Sequence, residues 1–150
     1  MKIKLDDIKK LREETGAGIA DCRECLEECQ GNLTKATKLL RKKGIEKAVK
    51  KEGREVKDGS VFSYVHHNGK IGVLVSLACE TDFVAKTDDF QHLGRELALH
   101  TAASKPATVA ELLDQEYVRD PSKKIADLIK EVIGKLGENI QVVDFKIVGV

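Results

Sequence analysis

The chain has 150 residues, of which 41% are hydrophobic and 34% are charged, a size and composition that fit one ordinary domain with or without a small additional module. Its formal net charge of +1 lacks the basic excess that is typical of general nucleic-acid-binding proteins. Since the sequence has no apolar stretch of transmembrane length and no signal-peptide pattern at its start, we expect a cytoplasmic protein with neither a membrane nor a nucleic acid as its direct partner.

The first part of the chain predicts three short amphipathic helices. Apolar residues recur at helical spacing over residues 5–14, and the glycine turn T-G-A-G then ends the pattern. A second helix is predicted over residues 19–28, and Asn32 is placed to cap a third helix that ends near Gly44. Helices this short are marginal alone, so we expect a three-helix bundle over residues 1–45 that serves as a docking module.

Three cysteines lie close together in the second predicted helix. Cys22, Cys25 and Cys29 share one helix face, to which Ile19 and Leu26 also belong. A thioredoxin-type C-x-x-C follows a strand of a βαβ unit, and a zinc site needs a fourth ligand at suitable spacing. The sequence offers neither context, so buried thiols that fill a helix interface in a reducing compartment are the favoured interpretation.

A charged segment separates this bundle from the rest of the chain. Residues 46–58 have almost no apolar periodicity, which is typical of a solvated linker helix. Their lysines could form an RNA-binding patch, but glutamates are interleaved with them, and a solvated face is the better interpretation. We therefore expect a linker helix over residues 46–58 and an α+β core domain of the dimerisation type over residues 59–150.

The core domain begins with a predicted β-hairpin. Asn68-Gly69 stands between two apolar runs, and this dipeptide is the strongest short signal for a hairpin turn. The second run, residues 70–80, is apolar on both faces, as expected of a central strand. Two antiparallel strands that can nucleate a hydrophobic core follow from this pattern.

Two helices and a third strand are predicted after the hairpin. Thr87 is placed to cap a long helix, residues 125–136 carry an amphipathic stripe, and PATVAELLDQEYVRDPS between them is a short helix or an irregular connection. The last segment predicts a strand with Val143, Phe145 and Ile147 on one side. The predicted fold class is α+β, an N-terminal three-helix bundle followed by a small three-stranded antiparallel sheet packed with helices.

The chain contains no familiar catalytic or nucleotide-binding motif. Phosphate loops, dinucleotide-binding glycine motifs, zinc-protease motifs and nucleophile elbows do not occur in the sequence. His66 and His67 are adjacent on a predicted strand, so their side chains are expected on opposite faces, where they could not share a metal ion. We therefore expect no metal, no cofactor and no enzymatic activity.

The segment from Glu80 to Val84 ends an apolar strand with two acids, a threonine and an aromatic residue. In one interpretation Phe83 is a core residue, because it stands seven residues before Phe90 and could extend the same helical stripe. In the other interpretation Asp82 and Phe83 project from a strand-to-helix junction and anchor a partner protein. The pattern alone leaves both interpretations open.

Three strings of residues, in order along nearly the whole chain, match the signatures of one family. They are KLREETGAGIADCRECL at residues 10–26, HHNGKIGVLVSLACETDFVAK at residues 66–86, and GENIQVVDF near the end. With these strings the chain resembles the elongation factor Ts family. The resemblance implies an N-terminal module similar to a ubiquitin-associated domain and a guanine nucleotide exchange factor for elongation factor Tu.

The resemblance also implies two sets of contacts with elongation factor Tu. Docking on its nucleotide domain would use four residues of the first module, Lys9, Arg12, Ile19 and Ala20. GDP release would come from disturbance of its magnesium and phosphate site by the T-D-F-V motif, which comprises Thr81, Asp82, Phe83 and Val84. In this picture Phe83 enters an apolar pocket between helices of the partner, and Asp82 helps to displace the magnesium ion.

The assembly and two alternative functions stay open at this point. Family members carry a longer segment between the helix that ends near Ala103 and the last helix, and short members form homodimers, so a homodimer is a possible assembly. One competing hypothesis is an adaptor that uses only its bundle to hold a peptide or a ubiquitin-like partner. The other is a C-x-x-C oxidoreductase that depends on Cys22.

Overall fold

An N-terminal helical bundle is joined to a region of mixed helices and strands. The computed structural model describes residues 2–150. The helices are α1 Leu5–Thr15, α2 Ile19–Glu28, α3 Leu33–Val49, α4 Asp82–Ala85, α5 Asp88–Ser104, α6 Val109–Asp114 and α7 Ile125–Leu136. The strands are β1 Asp58–Val65, β2 Ile71–Cys79, β3 Glu116–Tyr117, β4 Asp120–Lys124 and β5 Gln141–Gly149. The predicted fold class is confirmed. None of the helices within residues 2–150 has the length and apolar character needed to cross a lipid bilayer.

The bundle of α1, α2 and α3 surrounds a small core of its own. Gly16 follows α1 in the left-handed conformation with a φ of 66°, which glycine adopts without strain. Asn32 accepts a hydrogen bond at 3.0 Å from the backbone N–H of Lys35 and so caps α3 as predicted. The core side chains of the bundle are Ile8, Leu11, Cys22, Cys25, Leu26, Ala36 and Leu40.

The third helix is longer than the sequence predicts. It passes through Gly44, its predicted end, and continues to Val49. A glycine inside a helix costs about 1 kcal/mol relative to alanine, and this cost is offset because Ala48 is completely buried in the core of the mixed region. Of the predicted linker helix, only residues 46–49 are helical, and turns and extended chain follow. The division into domains stays a prediction.

The main sheet has the antiparallel strand order β1-β2-β5, which confirms the predicted hairpin and the predicted central strand. The hairpin turns at Asn68 and Gly69, where the φ of Gly69 is 72°. Helix α5 covers one face of the sheet, and the ring centroid of its Phe90 lies 5.9 Å from that of Phe62. Gly94 of α5 allows this close packing, since a Cβ there would overlap the Phe62 ring.

The last strand contains a change of register. β5 pairs with β2 up to a bulge, beyond which Val142 stands opposite Leu77. Val143 falls outside the paired register and is 59% exposed. The prediction that Val143 shares a face with Phe145 and Ile147 is therefore wrong, because the extra residue at the bulge inverts the alternation of faces.

A second, two-stranded sheet of β3 and β4 lies between α6 and α7. Helix α6 matches the predicted short helix, whereas the sequence pattern gives no sign of this hairpin. The Tyr117 hydroxyl donates a hydrogen bond to the buried carboxylate of Glu96 on α5, and the Arg119 guanidinium pairs with the same carboxylate at 2.8 Å. The backbone N–H of Val118 donates to His100 Nδ1 at 3.2 Å. The hairpin is thus fastened to α5 by polar contacts.

The bundle is fastened to the mixed region where α3 crosses α7. A Cβ added at Gly134 would lie 2.5 Å from the carbonyl oxygen and 2.8 Å from the Cα of Gly44. Backbones approach this closely only where a residue lacks a Cβ. Beside the crossing, the Lys135 side chain lies against Gly16, and its Nζ is 2.9 Å from Asp89 on α5. The crossing fixes the position of the bundle relative to the sheet.

Replacement of Gly134 by alanine is expected to force α3 away from α7. We expect a loss of about 1–3 kcal/mol in the free energy of unfolding, the usual cost of overpacking. Gly44→Ala is the matched control, because a Cβ there meets no atom within 4 Å, and alanine favours the helix. Urea denaturation measures both variants, and equal stabilities would contradict the glycine crossing.

The stability of the protein is expected to depend on the protonation of His100. Burial lowers the pKa of His100 from its ordinary value of 6.5, because the enclosed ring cannot be hydrated when it is charged; the hydrogen bond between its Nε2 and Gln115 Oε1, at 2.9 Å, only partly opposes this shift. The unfolded chain then binds the proton more readily, so this contribution to stability is complete above pH 6.5 and is lost as the pH falls through the lowered folded-state pKa.

The variant His100→Gln keeps one donor and one acceptor but does not titrate. From about pH 7 to about pH 5 we expect its free energy of unfolding to decline less than that of the wild type. Urea denaturation at the two pH values gives the comparison. Parallel declines would show that His100 does not couple stability to pH.

Candidate functional site

The junction between β2 and α4 carries the T-D-F-V motif, and we call residues 80–85 the junction turn. Thr81 is the N-cap of α4, and its hydroxyl oxygen accepts a hydrogen bond at 3.4 Å from the backbone N–H of Val84. The thiol of Cys79, the last residue of β2, donates to the carbonyl of Thr81 at 3.1 Å. The chain therefore passes from strand to helix through Thr81, which caps α4 and is itself hydrogen-bonded to the end of β2.

The motif divides into two inward and two outward side chains. Val84 is only 8% exposed and Thr81 is half-buried, whereas Phe83 is 80% exposed. Asp82 also faces solvent, with its carboxylate 3.3 Å from Lys86 Nζ. The interpretation of Phe83 as a core residue is wrong, because α4 and α5 are separate helices and do not share one apolar stripe. A large apolar side chain in this position is available for a protein contact.

A carboxylate from a distant part of the sequence supports the junction turn. Through one oxygen Glu138 accepts hydrogen bonds from the backbone N–H groups of Glu80 at 3.1 Å and Thr81 at 2.9 Å. Its other oxygen accepts from the Thr81 hydroxyl at 2.7 Å. Glu80 in turn accepts from the backbone N–H of Asn139 at 2.8 Å. The only sequence signal for Glu138 is its place in the string GENIQVVDF.

The four predicted docking residues lie on the surface of the bundle. Lys9 and Arg12 are exposed on α1, and Ile19 and Ala20 are exposed in the first turn of α2. Ile19 is 55% exposed, so the prediction that it lies on the buried cysteine face is wrong. It begins α2, beyond the end of the buried stripe. The two predicted sets of contacts thus stand on separate parts of the fold, the bundle and the junction turn.

The cysteines are placed for packing. Cys22, Cys25 and Cys79 are fully buried, Cys29 is partly buried, and all four are free thiols. Burial raises the pKa of the Cys22 and Cys25 thiols. Burial and nearby carboxylates, chiefly that of Glu138, raise the pKa of Cys79 to about 11. Redox exchange and metal binding both need thiolates, so these environments favour the structural interpretation.

Among residues 2–150, no three or more histidine, cysteine, aspartate or glutamate side chains are grouped so that they could hold a metal ion. His66 and His67 lie in the turn beyond Val65, the last residue of β1, and their ring centroids are 4.1 Å apart. The prediction that they face opposite sides of a strand is therefore wrong, because the strand ends before them. His66 Nδ1 lies 3.1 Å from the Tyr64 hydroxyl.

Comparisons with known proteins identify relatives along almost the full chain. A family model described as Elongation factor TS matches residues 80–150. The elongation factor Ts of Fervidobacterium nodosum is 43% identical over 190 residues, which cover 97% of this chain and 96% of that protein. The elongation factor Ts of Thermotoga neapolitana is 42% identical over 188 residues, with 97% and 95% covered. That of Herpetosiphon aurantiacus is 41% identical over 187 residues, with 95% and 94% covered.

These alignments are longer than the chain itself. The one with the Fervidobacterium nodosum protein spans 190 residues, whereas this chain has 150. The relative therefore has residues within the aligned region for which this chain has no counterpart. The sequence predicts that this chain is shorter than its relatives between Ala103 and the last helix. That the missing residues belong at this place stays a prediction.

The exposure of Phe83 predicts that its ring contributes little to folding. For Phe83→Ala we expect a change of less than about 0.5 kcal/mol in the free energy of unfolding, as for most surface substitutions. Phe90→Ala is the matched truncation of a completely buried ring and is expected to cost about 3–5 kcal/mol. Urea denaturation of both variants checks this difference, and comparable losses would place Phe83 in the core.

Proposed function

We propose, from the premise that the chain belongs to the elongation factor Ts family of translation elongation factors, that it promotes the release of GDP from elongation factor Tu. The observation that carries this proposal is the 80% exposure of Phe83 on a turn whose neighbouring residues are anchored in the core. Exposed aromatic side chains on rigid supports are frequent hot spots of protein interfaces. Such a residue is suited to entering an apolar pocket of the partner.

The rigidity of the junction turn supports this role. Thr81 and Val84, on either side of the exposed pair, are held by the cap hydrogen bond and by core packing. A side chain that is already ordered before binding loses less conformational entropy when it enters the partner. More of the binding free energy is then available to change the conformation of the partner.

The carboxylate of Asp82 supplies the second element of the proposed mechanism. A magnesium ion that bridges the nucleotide phosphates and the GTPase provides much of the affinity for nucleotide. In the proposed complex, entry of Phe83 between helices of elongation factor Tu brings Asp82 towards this site and disturbs the ion. GDP affinity falls, and by reciprocity GDP lowers the affinity for the exchange factor to the same extent. The chain itself makes and breaks no covalent bond in this mechanism.

The bundle supplies a second contact in the proposed complex. Its exposed residues dock on the nucleotide domain of elongation factor Tu; they are Lys9, Arg12, Ile19 and Ala20. The crossing of Gly44 and Gly134 holds the bundle in a defined position relative to the junction turn. Two contacts on one rigid body raise the effective concentration of the second contact once the first has formed. Docking through the bundle thus favours insertion of Phe83.

Release of fluorescent GDP from elongation factor Tu tests the proposal. The wild type is expected to accelerate release, and Phe83→Ala is expected to slow the accelerated rate roughly tenfold or more, as for a hot-spot residue. Val65→Ala is the control, because Val65 is also exposed, at 66%. It stands at the hairpin end of the sheet, about 25 Å along the strands from the junction turn.

The possible outcomes separate the exchange function from its alternative. Acceleration by the wild type and by Val65→Ala, but not by Phe83→Ala, supports exchange through the junction turn. If the wild type binds elongation factor Tu without accelerating release, the chain is a binding module and the exchange function is wrong. Equal acceleration by all three proteins would retain the function but exclude Phe83 as its main determinant.

A further inference from the structure

We infer that Glu138 is a positioning residue for nucleotide exchange, whose carboxylate holds the junction turn in the conformation that presents Phe83. This inference rests on the proposed function and deepens it. Glu138 lies between α7 and β5, and the resemblance to the family, in whose string GENIQVVDF it stands, implies no function for it. Its three hydrogen bonds to Glu80 and Thr81 make it the main polar support of the turn.

The Glu138 carboxylate accepts backbone hydrogen bonds at the point where the pairing of β2 with β5 ends. The last registered pair of β2 and β5 is Ala78 with Gln141, so β5 offers no carbonyl groups to the backbone beyond this point. The N–H groups of Glu80 and Thr81 would then need other partners, since buried backbone donors are rarely left unpaired. One oxygen of Glu138 accepts from both, at 3.1 Å and 2.9 Å. Hydrogen bonds to an ionised acceptor are stronger than those to a neutral one.

The second oxygen of Glu138 sets the direction of the cap. It accepts the proton of the Thr81 hydroxyl at 2.7 Å. Because that proton points at Glu138, the lone pairs of the hydroxyl are free to accept from the N–H of Val84, at 3.4 Å. Helix α4 has only four residues, and a helix this short does not persist without external support. The conformation of Asp82 and Phe83, the two residues between Thr81 and Val84, therefore depends on Glu138.

Glu138 is itself held in place from the other side. The carboxylate of Glu80 accepts from the backbone N–H of Asn139 at 2.8 Å, and the Arg54 guanidinium lies 3.6 Å from it. The Asn139 side chain is almost fully buried and donates to the carbonyl of Arg54 at 2.9 Å. The contacts between residues 80–81 and residues 138–139 are thus reciprocal. Each carboxylate fixes the backbone that carries the other.

Without this support, Phe83 would adopt several orientations in the free protein. Only a fraction of the molecules would then be competent to bind, which raises the apparent dissociation constant by the inverse of that fraction. Once bound, the contacts of Phe83 with the partner would be unchanged. Removal of the Glu138 carboxylate should therefore raise the concentration needed for half-maximal exchange and preserve the maximal rate.

The test compares Glu138→Ala and Glu138→Gln with the wild type in the release of fluorescent GDP from elongation factor Tu. For Glu138→Ala we expect the half-saturating concentration to rise about tenfold, with a maximal rate within about twofold of the wild type. Glu138→Gln keeps an oxygen that can accept from both N–H groups and is expected to restore most of the affinity. Failure of glutamine to restore it would contradict a role based on these hydrogen bonds.

A stability control and a local probe accompany the kinetics. Tyr117→Phe removes a buried hydrogen bond to Glu96 in another part of the fold and is expected to lower stability without changing the half-saturating concentration. Hydrogen exchange in the free protein should become faster at the amides of Thr81 and Val84 in Glu138→Ala. An equal kinetic effect of Tyr117→Phe would overturn the positioning role, since general destabilisation would then explain it.

Two further outcomes distinguish this inference from the function on which it rests. If the wild type accelerates GDP release and Glu138→Ala has an unchanged half-saturating concentration, the positioning role is wrong and the exchange function stands. If the wild type does not accelerate release, the exchange function is wrong, and the positioning role in exchange fails with it.

Discussion

The reciprocal hydrogen bonds between residues 80–81 and residues 138–139 join three parts of the chain at one point. Glu138 binds the backbone at the end of β2, and Glu80 binds the backbone just before β5. The third part is the segment that follows the bundle, where the carbonyl of Arg54 accepts a hydrogen bond from the Asn139 side chain. A buried polar group without a hydrogen-bond partner lowers the stability of a fold. This arrangement therefore favours one conformation of the joined segments over alternatives in which the hydrogen bonds are broken. The position of Phe83 on the surface follows from that single conformation.

The rest of the fold separates rigid support from exposed contact residues. The apolar core beneath α5 holds Val84, and the crossing of Gly44 with Gly134 brings the bundle against the mixed region. At the crossing, glycines allow the two backbones to approach closely, and in the core, buried side chains pack against one another. The residues that would meet a partner, Phe83 among them, contribute little to these contacts, so selection for binding and selection for folding act on different positions. In the proposed mechanism, Phe83 can therefore enter a partner without loss of the contacts that hold the fold together.

Patterns within a few neighbouring residues predict most of the helices and strands. The features that the sequence does not predict depend mainly on contacts between residues far apart in the chain. Asn32, Asn68-Gly69 and Thr87 act as the caps and turn that the sequence predicts, because their effects extend over only a few residues. Gly44 predicts too early an end for α3, because burial further along the helix outweighs the low helix propensity of glycine. The T-D-F-V motif stands out in the sequence, but the contact of Glu138 with Thr81 does not, because a partner 57 residues away has no periodicity or spacing that marks it. The sequence does not predict the hairpin of β3 and β4, because β3 has only two residues and β4 contains Pro121, which is typical of a break and not of a strand.

The central claim is that Glu138 acts on exchange through Phe83, and a double-mutant cycle tests it most directly. The cycle compares wild type, Phe83→Ala, Glu138→Ala and the double variant by the second-order rate constant for GDP release from elongation factor Tu. Groups that act as one unit show strongly non-additive effects. We therefore expect Glu138→Ala to reduce the rate constant in the presence of Phe83 and to have almost no further effect in its absence. Reductions that multiply independently would show that Glu138 affects exchange by another route and would contradict the account.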